Sequence, residues 1–543
     1  MKIMEKYTNI TIIITLFFFN RYAVANEAVS TTKLYIVYMG EHSYPDSDSV
    51  ISSNHELLAS VAGSFGQAKE AITHHYHKSF RGFSAKLTPE QAQKLRETES
   101  VISVFESKTN QLHTTHSWDF LGVNNVPQNN AKVESKSDTI VGVIDTGIWP
   151  ESESFNDNGL GPVPKRFKGE CVAGDQFTVN NCNRKIIGAR IYPKGYEAKY
   201  GPLESFNATF FRRRCKRGLQ YVIPTTVLDR NEVQVLQNYV SRSKNPTAKI
   251  SPTKTILNAT RAPKMAFFSS IGPNTITPDI IKPDITAPGV RILAAWSPVS
   301  IESTAGRSVD YNIISGTSMS CPHASGIAAM VKSHHPSWSP AAIKSAIMTT
   351  ANAMDNTKRA ILQNPSDSPA SPFNYGSGHV NPIAALDPGL VYDFGSKDLI
   401  DFLCSTRAYA TQIQMLTGKK VACKSPPVPM YDLNYPSIGV ANMNGSVTIV
   451  RTVTYYGHGP AVFDSKVELD SPTGVKVKAT VKPKQLKFKE AGEKMIFSVS
   501  FVADKTNHGS LVFGSLTWSS GNKYKVRSPI GLNLASAIQV RGK

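Results

Sequence analysis

Cysteine is scarce in this sequence of 543 residues, with six in all. That excludes a small fold held by a dense disulfide framework, because such frameworks belong to short chains far richer in cysteine. Acidic residues are also in deficit, 41 Asp and Glu against 60 Lys and Arg, for a formal net charge of +19. A balance of that sign invites a nucleic-acid reading. However, no basic patch is interleaved with aromatics in a recognisable binding module, so a nucleic-acid partner is not expected. A polyanionic extracellular matrix suits the charge better. Long apolar runs are missing too. Ile10 to Phe19 is mostly apolar, but it is about half of the roughly 20 residues that a spanning helix needs. No membrane span is therefore expected. Lys2 and Lys6 precede the run and Ala23-Val24-Ala25 follows it, which reads as a secretory signal over residues 1–25. The basic cluster Arg212-Arg-Arg-Cys-Lys-Arg217 would suggest a nuclear signal elsewhere; behind an export signal it does not.

With 41% hydrophobic residues the chain is long enough for several domains, each with its own core. The few cysteines fall in a pattern suited to an oxidising compartment. Cys171 and Cys182 are close together in a Gly- and Asn-rich loop, and Cys404 and Cys423 bracket another short segment, which makes two local disulfides the expectation. Cys321 then reads as a small buried hydrophobe, and Cys215 has no evident partner. Asn207, Asn258 and Asn444 stand in glycosylation sequons. No ligand cluster points to a metal or other cofactor; His74, His75 and His77 read as a solvated strand end.

Residues 26–113 read as a small α+β unit. Lys33 to Gly40, Phe80 to Leu87 and Val101 to Ser107 have strand character, and Thr88-Pro89-Glu90-Gln91 is a helix start with a cap, a first-turn Pro and Gln three residues on. This unit resembles the inhibitor-type propeptide of secreted subtilases. Further on, Thr139 to Ile144 is a β-branched run of the kind that forms a buried parallel strand, and it ends in Asp145-Thr146-Gly147. An acid at the carboxyl end of such a strand lies where open α/β sheets place their sites. Lys282 to Trp296 reads as strand, turn, strand. Two helices are expected after Ser318, one to about His334 and one from Ser339-Pro340 to Thr350. From about Tyr431 the chain alternates like a β-sandwich of about 100 residues.

Ser318 lies in Gly316-Thr-Ser-Met-Ser-Cys-Pro-His-Ala-Ser-Gly326, at the expected amino end of a helix. Glycine there allows close approach, and the free N–H groups of a helix start can stabilise an oxyanion. With Asp145 upstream, the order Asp then Ser is the subtilisin order of the catalytic triad.

On these motifs the chain resembles the plant-type subtilases of the S8 peptidase family over nearly its whole length. The resemblance implies a signal peptide (1–25), an inhibitor I9-type propeptide (26–113), an α/β parallel-sheet peptidase domain (114–430) and a fibronectin-III-like sandwich (431–543). It implies a serine endopeptidase acting on proteins or peptides, secreted to the cell wall or apoplast and held by its own propeptide, which is cut at His113-Thr114. Ser318 would be the nucleophile and Asp145 the residue that orients the base. The family's base lies in Gly-His-Gly-Thr-His, after a Phe-Phe-Arg like Phe210-Phe211-Arg212. Here that segment is missing across a junction near 213–216, together with the asparagine of the oxyanion site and most of the protease-associated insertion, of which about 218–240 is the remnant. No histidine stands between Asp145 and Ser318. His323 is five residues past Ser318, roughly 140° around a helix and about 7.5 Å along it, so its ring is expected to point away. The oxyanion donor left is the Ser318 N–H. The expected state is an inactive subtilase; the alternative is a secreted pseudoprotease or a propeptide-type inhibitor of other subtilases.

Overall fold

The computed structural model describes residues 32–40, 46–76, 81–107, 116–125, 139–145, 147–174, 177–192, 230–249, 261–298, 309–406, 413–414, 417–418, 420–504 and 509–534. The expected signal peptide, Thr114, His113, Asn207, Asn258, Cys215, His77 and the 213–216 junction lie outside them. The described residues belong to two compact units, one ending at Ser107 and the other starting at His116.

In the first unit, β1 (Lys33–Tyr38) is followed by helices α1 (Ser47–Ala62) and α2 (Phe65–Ala71). Then come β2 (Ile72–Tyr76), β3 (Gly82–Leu87), α3 (Pro89–Arg96) and β4 (Ser103–Glu106). The strands form one sheet in the order β2-β3-β1-β4, with β1 antiparallel to both β3 and β4. Alternation in β1 turns Tyr35 and Val37 inward, where they meet Leu58, Phe83, Leu87 and Leu95. The expected start of α3 is present as a reciprocal cap. Thr88 Oγ1 accepts the Gln91 N–H at 3.2 Å, and Gln91 Oε1 accepts the Thr88 N–H at 2.9 Å. His75, half-buried on β2, lies 3.4 Å from the Asn54 amide.

The second unit begins with α4 (Ser117–Phe120) and includes α5 (Arg230–Arg242). Cys171 and Cys182 are joined by a disulfide, as are Cys404 and Cys423. Residues 139–145, expected as a buried parallel strand, form no strand: Val143 is 79% exposed and Ile144 fully exposed. A β-branched run becomes a strand only when neighbours satisfy its N–H and C=O groups, and no described strand pairs with it. The parallel pairing described before residue 430 is β5 (Lys264–Met265) on β8 (Leu362–Gln363), with single parallel bridges at Cys171–Ala189 and Thr286–His379.

Between those two lie β6 (Ile292–Ala295) and β7 (Tyr311–Ile314), then α6 (Thr317–His334) and α7 (Pro340–Thr349). Of the strand, turn, strand expected over Lys282 to Trp296, the second strand forms; the first is an extended segment with a single bridge at Thr286. Ser339 caps α7, its hydroxyl accepting the Ala342 N–H at 2.9 Å. Ile327 and Val331 of α6 and Ala342, Ala346 and Ile347 of α7 share a core with Trp338 and Val380. Helices α8 (Pro372–Tyr375) and α9 (Pro382–Leu386), strand β9 (Leu390–Val391) and helix α10 (Ser396–Ser405) follow.

The sandwich comprises β10 (Ile438–Met443), β11 (Ser446–Tyr455), β12 (Ala461–Asp470), β13 (Val477–Lys482), β14 (Gln485–Phe488), β15 (Lys494–Ala503), β16 (Leu511–Ser520) and β17 (Tyr524–Leu534). Its sheets run β10-β17-β16-β12-β14 and β13-β15-β11-β9. Because β9 closes the second sheet, the sandwich core takes Leu390 and Tyr392 from before the expected boundary at 430. Polar contacts bind the two parts as well. Asp284 accepts from Lys282 Nζ at 2.7 Å and from the Tyr435 hydroxyl, with Lys344 Nζ 3.5 Å away. Burial works to raise the pKa of Asp284, but Lys344, Lys282 and the Tyr435 hydroxyl outweigh it and hold the carboxyl below its usual range. Arg451 is buried and donates to the carbonyls of Tyr431 at 2.8 Å, Tyr435 at 3.1 Å and Ser437 at 3.2 Å, fixing the segment that enters the sandwich.

Candidate functional site

The turn that carries Ser318 is shaped by its neighbour in space. Strands β6 and β7 pair antiparallel from Ile292 opposite Ile314 to Ala295 opposite Tyr311. The segment before β6 therefore lies against the segment between β7 and α6. Gly316 N–H donates to Gly289 C=O at 2.8 Å, Arg291 N–H to Ser315 Oγ at 2.8 Å, and Ser320 Oγ to Ala287 C=O at 3.0 Å. A Cβ on Gly289 would fall 2.2 Å from Ser320 Oγ and 2.9 Å from Gly316 O, so only glycine allows this approach.

Helix α6 starts at Thr317, which makes Ser318 its second residue. Its N–H is among the first four of a helix, which have no acceptor within the helix and point toward the positive end of its dipole. Pro322, inside the same helix, has no N–H to offer the carbonyl of Ser318, four residues back. Ser318 is exposed, and its hydroxyl has no hydrogen bond to Asp145, to any histidine or to any other described residue. Asp145 is exposed, in the stretch 139–145 that forms no strand.

The histidines near the helix are engaged elsewhere. His323 Nδ1 donates to Met319 C=O at 2.7 Å, leaving Nε2 to accept from the Ser117 hydroxyl at 2.8 Å. His335 Nε2 donates to Leu386 C=O at 2.7 Å while its ring stacks on Trp338. His334 Nδ1 donates to Met330 C=O at 3.3 Å, and His116 Nδ1 is 3.3 Å from Asp119 Oδ2.

Two features of this region were not foreseen from the sequence. Cys321, expected to be buried, is a free and exposed thiol. The helix turn that bears it borders a cavity rather than packed side chains, so the thiol stays open. That cavity, of about 1140 Å³, is lined by Thr317, Ser320, Cys321 and His379 among others, and Ser318 and Asp145 are not part of its wall. His379 is 5% exposed, and burial pushes its imidazole down to about pKa 4. A lone histidine in Gly378-His379-Val380 carries no local signal that could have marked it. Among the described residues no group of three or more His, Cys, Asp or Glu is arranged to hold a metal ion.

Comparison with known proteins covers all three parts of the chain. Residues 34–113 match the peptidase inhibitor I9 family, 247–378 the subtilase family and 432–532 the fibronectin type-III domain. The subtilase match includes Ser318 and starts beyond Asp145. The subtilisin-like serine-protease S of Lotus japonicus is 41% identical over 741 aligned positions, covering 93% of this chain and 97% of the relative. That alignment is longer than the 543-residue chain, so the Lotus japonicus protein carries segments with no counterpart here. Subtilisin-like proteases SBT4.10 and SBT5.3 of Arabidopsis thaliana are 32% and 31% identical, covering 94% and 98% of this chain and 95% and 100% of themselves. With its inhibitor, peptidase and fibronectin-type parts in this order, the chain belongs to the plant subtilisin-like serine proteases.

Proposed function

We propose that this chain is an exported subtilase in which Ser318 holds the place of the nucleophile and Asp145 that of the orienting acid, and that it does not hydrolyse peptide bonds. The observation that carries this reading is the Ser318 hydroxyl itself, which no imidazole among the described residues reaches, in a chain with no histidine between Asp145 and Ser318. A serine hydroxyl at neutral pH is a poor nucleophile until a base takes its proton. Losing the triad histidine lowers kcat on the order of a millionfold, or roughly 8 to 9 kcal/mol, a magnitude known from subtilisin itself. The Ser318 N–H remains as an oxyanion donor, but stabilising an intermediate does not help a nucleophile that never forms one.

Three further expectations belong to this reading. The domain limits are 26–113, 114–430 and 431–543, with the propeptide junction at His113-Thr114. A chain without its base keeps residues 26–113 attached, because no autocatalytic cut occurs. Export brings Asn207, Asn258 and Asn444 to the glycosylation machinery; Asn444 is exposed at the turn between β10 and β11, where a glycan meets no packed surface.

The decisive experiment is to treat the purified full chain with a serine-directed fluorophosphonate, with an active plant subtilase as control. The expected result is labelling of the control and none of Ser318. Labelling that disappears in Ser318→Ala would overturn the reading. A second reading is favoured by the first unit, whose described residues form a four-stranded sheet with capped helices and a shared core. In it the chain acts as a propeptide-type inhibitor of other subtilases. Failure of the full chain to slow an active relative would remove this alternative.

A further inference from the structure

The cavity beside the Ser318 helix has a composition that the proposed function does not use. Its wall is made by α4, by the first turns of α6 and by segments 262–269 and 283–290, all within the second unit. Apolar side chains dominate it, among them Phe120, Met265, Phe268, Ile285, Val290 and Ala324. At about 1140 Å³ it is as large as the upper range of clefts that enclose organic ligands, roughly 300 to 1,000 Å³.

One polar side chain in that wall, His379, is only 5% exposed. The His379 ring lies edge-on to Phe120, with centroids 5.3 Å apart. Its Nδ1 is 3.3 Å from Val380 C=O, and because a carbonyl can only accept, Nδ1 carries the proton. Nε2 is then a bare acceptor, and no described residue donates to it. A ligand that brings an O–H or N–H donor into the cavity can pair with that acceptor.

The charged groups of the wall already have partners. Lys264 Nζ is 2.8 Å from Asp367 Oδ1, and Asp119 Oδ2 is 3.3 Å from His116 Nδ1. A charged ligand would lose its hydration in a wall of mostly apolar side chains. We propose that this cavity is a binding site for an uncharged, largely apolar molecule that presents one O–H or N–H donor to His379 Nε2. Cys321 lies in the same wall and serves as a reporter of occupancy.

The test uses the full chain and three probes of similar size: 2-naphthol, which has a donor; 2-methoxynaphthalene, which lacks one; and 1-naphthoate, which is charged. Each is added before N-ethylmaleimide, and modification of Cys321 is followed by peptide mass mapping, which separates it from Cys215. The expected result is that 2-naphthol slows modification of Cys321 and acts at several-fold lower concentration than 2-methoxynaphthalene, with 1-naphthoate the weakest. That ratio corresponds to one buried hydrogen bond, about 0.5 to 1.5 kcal/mol. In His379→Leu the preference for 2-naphthol over 2-methoxynaphthalene should vanish. No protection by 2-naphthol up to its solubility, or equal protection by the two neutral probes in the unmodified chain, overturns the proposal. Because the probe comparison needs no variant, a poorly folding His379→Leu leaves it decisive.

Discussion

Val447 to Thr454 and Thr139 to Ile144 are both runs rich in β-branched residues, yet the first is sealed inside a sandwich and the second stands in solvent. In the sandwich, β11 is paired along its length with β15 on one side and at its end with β9 on the other. Its inward positions Ile449 and Val453 are fully buried. Near Asp145, by contrast, Val143 and Ile144 have the same chemistry and no described strand beside them. Strand propensity is therefore a statement about neighbours: the backbone groups of a strand are satisfied from outside it, whereas a helix satisfies its own. The α6 helix shows the other side of this contrast, because it forms and presents Ser318 beside an open cavity.

The sharpest way to break this comparison is to cut into the sealed region. Trp518 is fully buried against Phe497, with ring centroids 5.0 Å apart, and its Nε1 is buried without an acceptor. Trp518→Ala should cost about 3 to 5 kcal/mol, read as a lower denaturation midpoint. Trp518→Phe should cost much less, because it also removes the unpaired N–H. Equal losses for the two would show that the sandwich tolerates cavities, and the contrast with the exposed run would weaken.

Next in size is Arg451, whose charge is buried and satisfied by carbonyls rather than by a carboxylate. Burial lowers its pKa to about 10, so it stays protonated at neutral pH. Arg451→Met should cost about 3 kcal/mol, since the carbonyls of Tyr431, Tyr435, Ser437 and Val450 lose its donors while the packing volume is nearly kept. A loss below about 1 kcal/mol would mean that water reaches those carbonyls.

His379 adds a pH dependence of similar or smaller size. Its folded pKa of about 4 lies below the unfolded value of 6.5, so only the unfolded chain gains a proton between these limits. Stability is fully present above pH 6.5 and is lost as the pH falls toward 4, by at most about 3 kcal/mol. The depressed carboxyl of Asp284 acts in a lower window, as the pH falls below its usual 3.8. His379→Gln should flatten the upper window and leave the lower one. An unchanged slope between pH 6.5 and 4 would show that His379 titrates as an exposed imidazole.

The smallest expected effect is at the exposed run. Ile144→Ser should change stability by no more than about 0.5 kcal/mol, because the side chain has almost no contact to lose. A loss above 2 kcal/mol would place Ile144 in a packed environment and erase the difference between the two regions.

Local chemistry explains which features were legible beforehand. The cap at Thr88, the cap at Ser339 and the alternation of β1, β11, β15 and β16 depend on nearby residues, and all are present in the structure. Both disulfides close short loops, so chain proximity was an adequate guide. Cys321 was misjudged because burial is decided by what packs against a side chain, and its neighbours at 262–269 and 283–290 are distant in sequence. His379 was missed for the same reason.

By itself the sequence determined the family, the place of Ser318 at a helix start and the lack of any histidine between it and Asp145, because these are matters of residue identity and order. Only the tertiary structure decided that the Thr139–Ile144 run has no partner strand among the described residues, that β9 closes the sandwich and that His379 lines a cavity with no described donor to its Nε2. Those outcomes depend on which distant segments meet, and burial, pairing and solvation are properties of that meeting.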